Sequence, residues 1–233
     1  MDDRQSSYPD ASPSELAAEI DSRLRALPSL KTETVRSLRR EYSKLIAKAS
    51  PHFVVELAGR LLDRGSFIHR FIGYELVHSH REALGSLRSS DLERLGRGLD
   101  SWGAVDTFGC YLSGPAWRER QVPDSLIRRW ARSRDRWWRR AALVSTVPLN
   151  NKARGGTGDP SRTLEICAML VADKDDMVVK ALSWALRALA TRDPGAVKRF
   201  IDQHQDILAA RVIREVGNKL TTGLKNPKNP RLS

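Results

Sequence analysis

Asp135-Arg136-Trp137-Trp138-Arg139-Arg140-Ala141-Ala142-Leu143 is the stretch on which the fold reading turns. An acid suited to capping a helix precedes two aromatics, two arginines and a run of small apolar residues. The same grammar recurs in Ser66-Phe67-Ile68-His69-Arg70-Phe71-Ile72 and in Asp176-Met177-Val178-Val179-Lys180-Ala181-Leu182. The units return at roughly 35–40 residues, near the length of a two-helix solenoid repeat. Helix pairs of this kind bury one face against their neighbours and stack into a curved array with a concave surface. Valines and leucines fall at helical spacing, and no segment alternates as a strand does. The fold class expected is therefore all-α, a helical-repeat solenoid.

Outward from that stretch, helix signals run through most of the chain. Ser12-Pro13-Ser14-Glu15 opens a first helix whose stripe is Leu16, Ile20, Leu24 and Leu27, with Pro28 ending it. A second spans about 32–48, a third starts at Ser50-Pro51 and runs to Gly65, and a fourth covers about 66–79. Short helices are expected near 82–87 and 90–98, then one from about 101 to 112 that Ser113-Gly114-Pro115 stops. Pro123 starts the next, and the Asp135 helix runs to Val147 with Pro148 closing it. Further helices are expected at about 161–171, 175–190, 194–203 and 206–221. Residues 1–12 read as a disordered segment, 13–224 as a single domain, and 225–233 as a flexible basic tail broken by prolines.

Composition narrows the partners. Of 233 residues, 40 are Lys or Arg and 28 are Asp or Glu, a net charge of +12. That excess points to a polyanion, nucleic acid before an acidic membrane surface, and the predominance of Arg suits bidentate phosphate contacts. Cys110 and Cys167 lack a CxxC neighbour and read as reduced core residues of an intracellular protein. The first residues have no basic start followed by an apolar core, so no signal peptide is expected, and no run of 18 apolar residues exists to span a membrane. The expected location is cytoplasmic. The loop Asn151–Pro160, NKARGGTGDP, lacks the Gly-Lys-Ser/Thr ending of a phosphate-binding Walker loop, and a nucleotide-binding role is rejected. His78-Ser79-His80 does not share a helical face and is read as a helix-end feature, with no metal or cofactor implied. Trp117, Trp130, Trp137 and Trp138 read as packing residues between repeats.

The candidate working centre is Leu99–Gly109, LDSWGAVDTFG. It starts a helix that Asp100 or Ser101 can cap, and Trp102 and Asp106 then share one face about one turn apart. An acid beside a large aromatic in so basic a chain suits the stabilisation of positive charge on a ligand. A buried Trp102 with Asp106 in a structural ion pair is the competing reading.

Three pieces in order carry a resemblance: Ser101-Trp102-Gly103-Ala104-Val105-Asp106, then Arg139-Arg140-Ala141-Ala142, then Lys180-Ala181-Leu182-Ser183-Trp184-Ala185-Leu186-Arg187. Together they resemble the DNA alkylation repair family, the AlkD-type alkylpurine DNA glycosylases built from HEAT-like repeats. Arg40-Glu41-Tyr42 with Lys44, and Gly73-Tyr74-Glu75, fit less specifically, and the likeness covers about residues 30–224. It implies a right-handed HEAT-like solenoid with a basic groove for duplex DNA. It also implies hydrolysis of the N-glycosidic bond of N3- and N7-alkylated purines without base flipping. On that analogy Trp102 and Trp184 flank the deoxyribose, Asp106 is the catalytic carboxylate, Arg140 holds a phosphate and Arg187 is a further backbone contact. Gly103 departs from the polar or acidic residue that members often carry there.

The groove is expected to be lined by Arg139, Arg140, Lys152, Arg154, Lys180, Arg187, Arg214 and Lys219, with Lys225 and Lys228 as tail contacts. The expected partner is double-stranded DNA containing alkylated purines, bound by a monomer. The expected chemistry is that of a monofunctional glycosylase, since nothing in the sequence marks Lys152 or Lys219 as the Schiff-base nucleophile of a lyase step. A non-catalytic relative that binds damaged or distorted DNA, and a protein-binding helical scaffold, are the alternatives.

Overall fold

The structure, a computed structural model, describes residues 11–227. The disorder expected at the N-terminus and the tail contact of Lys228 fall largely or wholly outside the described residues. Among those described, every regular element is helical. They divide between Gly98 and Leu99 into two compact units.

The first unit holds α1 (Pro13–Arg25), α2 (Thr32–Leu45), α3 (Pro51–Leu62), α4 (Phe67–Ser79), α5 (Arg81–Ser86) and α6 (Ser89–Leu95). Ser12 caps α1 in a reciprocal box with Glu15, as the Ser-Pro-Ser-Glu signature requires. The stripe of α1 (Leu16, Ile20 and Leu24) is buried, and α3 packs on both α1 and α4. Glu75 of α4 is buried and accepts from Nε of Arg36 and of Arg39, on α2, at 2.9 and 3.0 Å. His80 ends α4 and caps α5, its Nδ1 accepting from the Ala83 amide. One histidine thus serves two helix ends, and among the described residues no cluster of three or more His, Cys, Asp or Glu forms a metal site.

The second unit holds α7 (Trp102–Phe108), α8 (Gly114–Arg118), α9 (Asp124–Ala131), α10 (Arg136–Ser145), α11 (Val147–Asn150), α12 (Pro160–Met169), α13 (Asp176–Ala190), α14 (Pro194–His204) and α15 (Ala210–Thr222). Helix pairs α9–α10, α12–α13 and α14–α15 follow one another, and α7, α10, α13 and α15 pack in succession, neighbour on neighbour. This is the repeat construction anticipated from the recurring grammar. Asp135 caps α10 as expected, whereas α13 is capped by Asp175, one residue before the expected Asp176, which is the first residue of the helix.

Two stops expected from proline are not stops. Ser113-Gly114-Pro115 lies where α7 passes through one π turn, Gly109–Ser113, straight into α8. The Gly114 amide bonds to the Gly109 carbonyl, and Pro115 sits at a helix start, where its missing N–H costs nothing. Pro148 likewise sits in the first turn of the short α11 instead of closing α10. The last helix begins at Ala210, later than the expected 206, because 205–209 form its entry turn.

Of the packing tryptophans, Trp130 and Trp138 pack with ring centroids 4.8 Å apart and planes tilted by 43°, both against Phe108, and Trp117 is fully buried under Arg162. Trp137 is only half-buried, beneath the Arg136 guanidinium. Cys110 and Cys167 are buried free thiols, and burial pushes Cys110 up to about 12, which removes it as a nucleophile.

Candidate active site

Helix α7 is short and presents its two polar-facing residues differently. Trp102, at its first position, is 63% exposed. Ser101 precedes it with no side-chain capping bond. Ala104, Val105 and Phe108 form the buried face. Asp106, one turn after Trp102, points toward α10. There Arg140 donates from Nε to Oδ1 and from Nη2 to Oδ2, both at 2.9 Å, a bidentate fork. The third guanidinium nitrogen of Arg140 donates to the Met177 carbonyl in the first turn of α13. Small residues Ala141 and Ala142 follow Arg140 on α10, both fully buried in the tight packing between α7 and α13.

The Arg140 side chain is 6% exposed and that of Asp106 is 20% exposed, so the part of the pair that meets the surface is the carboxylate. Burial pushes the Asp106 carboxyl up, and the Arg140 hydrogen bonds and charge pull it back. It settles above the usual aspartate value. An oriented anion with one open edge, backed by a fixed cation, can face developing positive charge or hold a water.

A separate cleft of about 460 Å³, whose lining does not include Trp102, Asp106 or Arg140, is lined by Trp184 and Arg187 of α13, Asn151 and Lys152, Lys219 of α15, and Lys225. Trp184 stands seven residues beyond Met177 on α13, two turns along the same side of the helix. The loop presenting Lys152 is tied down rather than loose. Asn151 caps its single 3₁₀ turn, the Gly158 amide bonds to the Leu149 carbonyl, and Arg192 donates to the carbonyls of Asn150 and Gly156. Gly156 there could carry no side chain, since a Cβ would meet the Leu149 backbone at 2.6 Å.

The predicted cations separate into groups. Lys152, Arg187 and Lys219 line the cleft together. Arg140 is engaged with Asp106 and Met177 instead of standing free for a phosphate. Arg139 is turned to Asp173 at 2.7 Å and to the carbonyls of Ser133 and Arg134. Lys180 pairs with Asp176 on its own helix. Arg154 lies over the Tyr111 ring, and Arg214 is exposed on α15 and is not one of the residues that line the cleft. Sequence reasoning did not find Glu215 or Ser183, which sit under the cleft. The available signal was Glu215 as the one acid in the basic helix α15.

No curated protein matches the chain at a significant level. The family model described as DNA alkylation repair enzyme matches residues 25–220, a span that takes in Trp102, Asp106, Arg140 and Trp184 and makes DNA the partner to consider. With that match running over most of the sequence, the chain belongs to the DNA alkylation repair enzyme family.

Proposed function

We propose that the protein is a monofunctional DNA glycosylase that hydrolyses the N-glycosidic bond of cationic N3- or N7-alkylated purines in duplex DNA. The observation that carries this reading is the Asp106 carboxylate, gripped from behind by the buried Arg140 and open on its other side, on the same helix as the exposed Trp102. An alkylated purine is a formal cation and leaves without being protonated. What needs stabilising is the positive charge that builds on the sugar as the bond breaks. An oriented carboxylate supplies this electrostatically and can deprotonate the attacking water. Indole faces of Trp102 and Trp184 against the sugar add cation–π attraction of order 1 kcal/mol each.

In this reading Arg140 is the holder of the anion, and phosphates are held at the Trp184 cleft by Lys152, Arg187 and Lys219. Arg154, Lys180 and Arg214 are outer contacts. Phosphate contacts of this kind set register and affinity without reading sequence. The grip is on the backbone with the lesion left stacked, so bulky N7 adducts are released as well as methyl adducts. Release of a bulky adduct at the buffer rate, with methyl adducts excised, would remove that part.

The test is single-turnover release of 7-methylguanine or 3-methyladenine from duplex DNA by wild type and Asp106→Asn. The variant loses at least tenfold, about 1.4 kcal/mol of barrier, while duplex binding is retained. Equal rates for the two proteins would leave a DNA-binding relative in which Asp106 and Arg140 form only a structural pair.

A further inference from the structure

Helix α15 carries a carboxylate that this chemistry does not use. Glu215 is 4% exposed, and a buried carboxylate must be matched by donors and cations. Its Oε2 accepts from the Ser183 hydroxyl at 2.6 Å and lies 3.9 Å from Nε of Arg187. The same Arg187 nitrogen donates to the Ser183 oxygen at 3.2 Å, closing a ring of three side chains between α13 and α15. Its Oε1 lies 3.4 Å from Nζ of Lys225.

Lys225 comes from the segment that follows α15. That segment turns at Gly223, whose φ of +74° suits glycine, and the Asn218 side-chain amide donates to the Lys225 carbonyl at 3.0 Å. The chain therefore doubles back, and Lys225 joins Arg187 on the lining of the Trp184 cleft. An exposed lysine beyond a helix end would otherwise sample many rotamers, and ordering it at the moment of binding costs affinity.

We propose that Glu215 is a positioning residue for DNA binding: from under the cleft it holds Arg187 and the returning Lys225 where they take phosphates of the strand that runs past Trp184. This rests on the reading of the cleft as the DNA site given above. It makes a prediction of opposite sign to plain electrostatics. Removing a negative charge from a basic surface should tighten DNA binding; removing a positioning carboxylate should weaken it.

The experiment measures the Kd of undamaged duplex DNA against salt for wild type, Glu215→Gln, Glu215→Asp, Lys225→Gln and the Glu215→Gln/Lys225→Gln double variant. Thermal unfolding is followed in parallel. Glu215→Gln binds about three- to tenfold more weakly, with a log–log salt slope shallower by about 1 to 2, at roughly 0.9 for each phosphate no longer neutralised. Glu215→Asp recovers most of the affinity. Lys225→Gln is shallower by about 1, and the double variant adds little to Glu215→Gln, because the two act as one unit. Unchanged or tighter binding by Glu215→Gln overturns the proposal. So does a lower melting temperature with an unaltered salt slope, which is what a purely structural carboxylate gives. If Glu215→Gln does not fold, the exposed Lys225→Gln decides, and an unaltered slope there overturns the proposal equally. The duplex carries no lesion, so binding is read apart from base release: a wild type that binds it but releases no base from alkylated duplex removes the glycosylase reading alone. A wild type that binds no DNA removes both.

Discussion

At the scale of the residue, the Asp106–Arg140 fork decides what each partner can do. A guanidinium with donors committed to a carboxylate and a backbone carbonyl is a holder, not a free phosphate ligand. Arg140→Ala should therefore behave as the loss of one half of a buried pair, a destabilisation of order 3 kcal/mol seen in thermal unfolding. The salt slope of DNA binding should stay where it was. A stable Arg140→Ala protein with a slope shallower by about 1 would return Arg140 to the phosphates. The pH dependence has a definite sign. On the proposed function Asp106 must be ionised to face a cationic sugar, so base release should rise with pH through its folded pKa. Burial holds that pKa above the ordinary aspartate value, so the acid limb of kcat/KM lies above the limb of an ordinary aspartate. Removing Arg140 takes away the opposing pull, and the limb in any active Arg140 variant moves further up in a single-turnover pH profile.

At the scale of the element, the π turn after Asp106 is what lets α7 continue into α8 while staying close to α10. A Cβ on Gly109 would meet Val144 Cγ1 at 2.6 Å and its Cβ at 2.9 Å, atoms of a buried branched side chain that cannot swing away. Gly109→Ala is expected to cost about 1–3 kcal/mol by overpacking. Because α7 and α10 carry the two halves of the fork, base release should fall with it even at temperatures where the variant is folded. A melting temperature equal to wild type would show that the turn relaxes freely and does not set the α7–α10 spacing.

At the scale of the whole molecule, the charge of +12 divides into cations engaged internally and cations facing outward. Arg139 and Arg140 belong to the first kind, whereas Lys152, Arg187, Lys219 and Lys225 gather at one cleft. With two of Arg154, Lys180 and Arg214 adding outer contacts to those four, about six phosphates are neutralised, and the salt slope for duplex binding should be roughly −5. A slope near zero would show that the basic surface serves something other than DNA.

Helix type and position were legible from sequence because both are set locally. The caps at Ser12 and Asp135 and the 3.6-residue apolar period act within a turn or two of chain, and the cap of α13 is displaced by only one residue, from the expected Asp176 to Asp175. The spacing of Trp102 and Asp106 one turn apart on one helix was legible for the same reason. The prolines misled because a proline is compatible with the first turn of a helix as well as with its end: Pro115 follows the π turn at the start of α8, and Pro148 lies in the first turn of α11. The assignment of Arg140 could not be made from sequence. Whether an arginine meets a phosphate or a carboxylate depends on which helix lies opposite, and Asp106 is 34 residues away. Glu215 is the clearest case. Its type and helix were plain, but its meaning came only when packing of α13 on α15 and the return of the chain at Gly223 brought Ser183, Arg187 and Lys225 around one buried charge. Sequence determines the helices and their order because short-range sterics and hydrogen bonds do so; only the tertiary structure decides which charges meet, because that depends on how distant segments pack against one another.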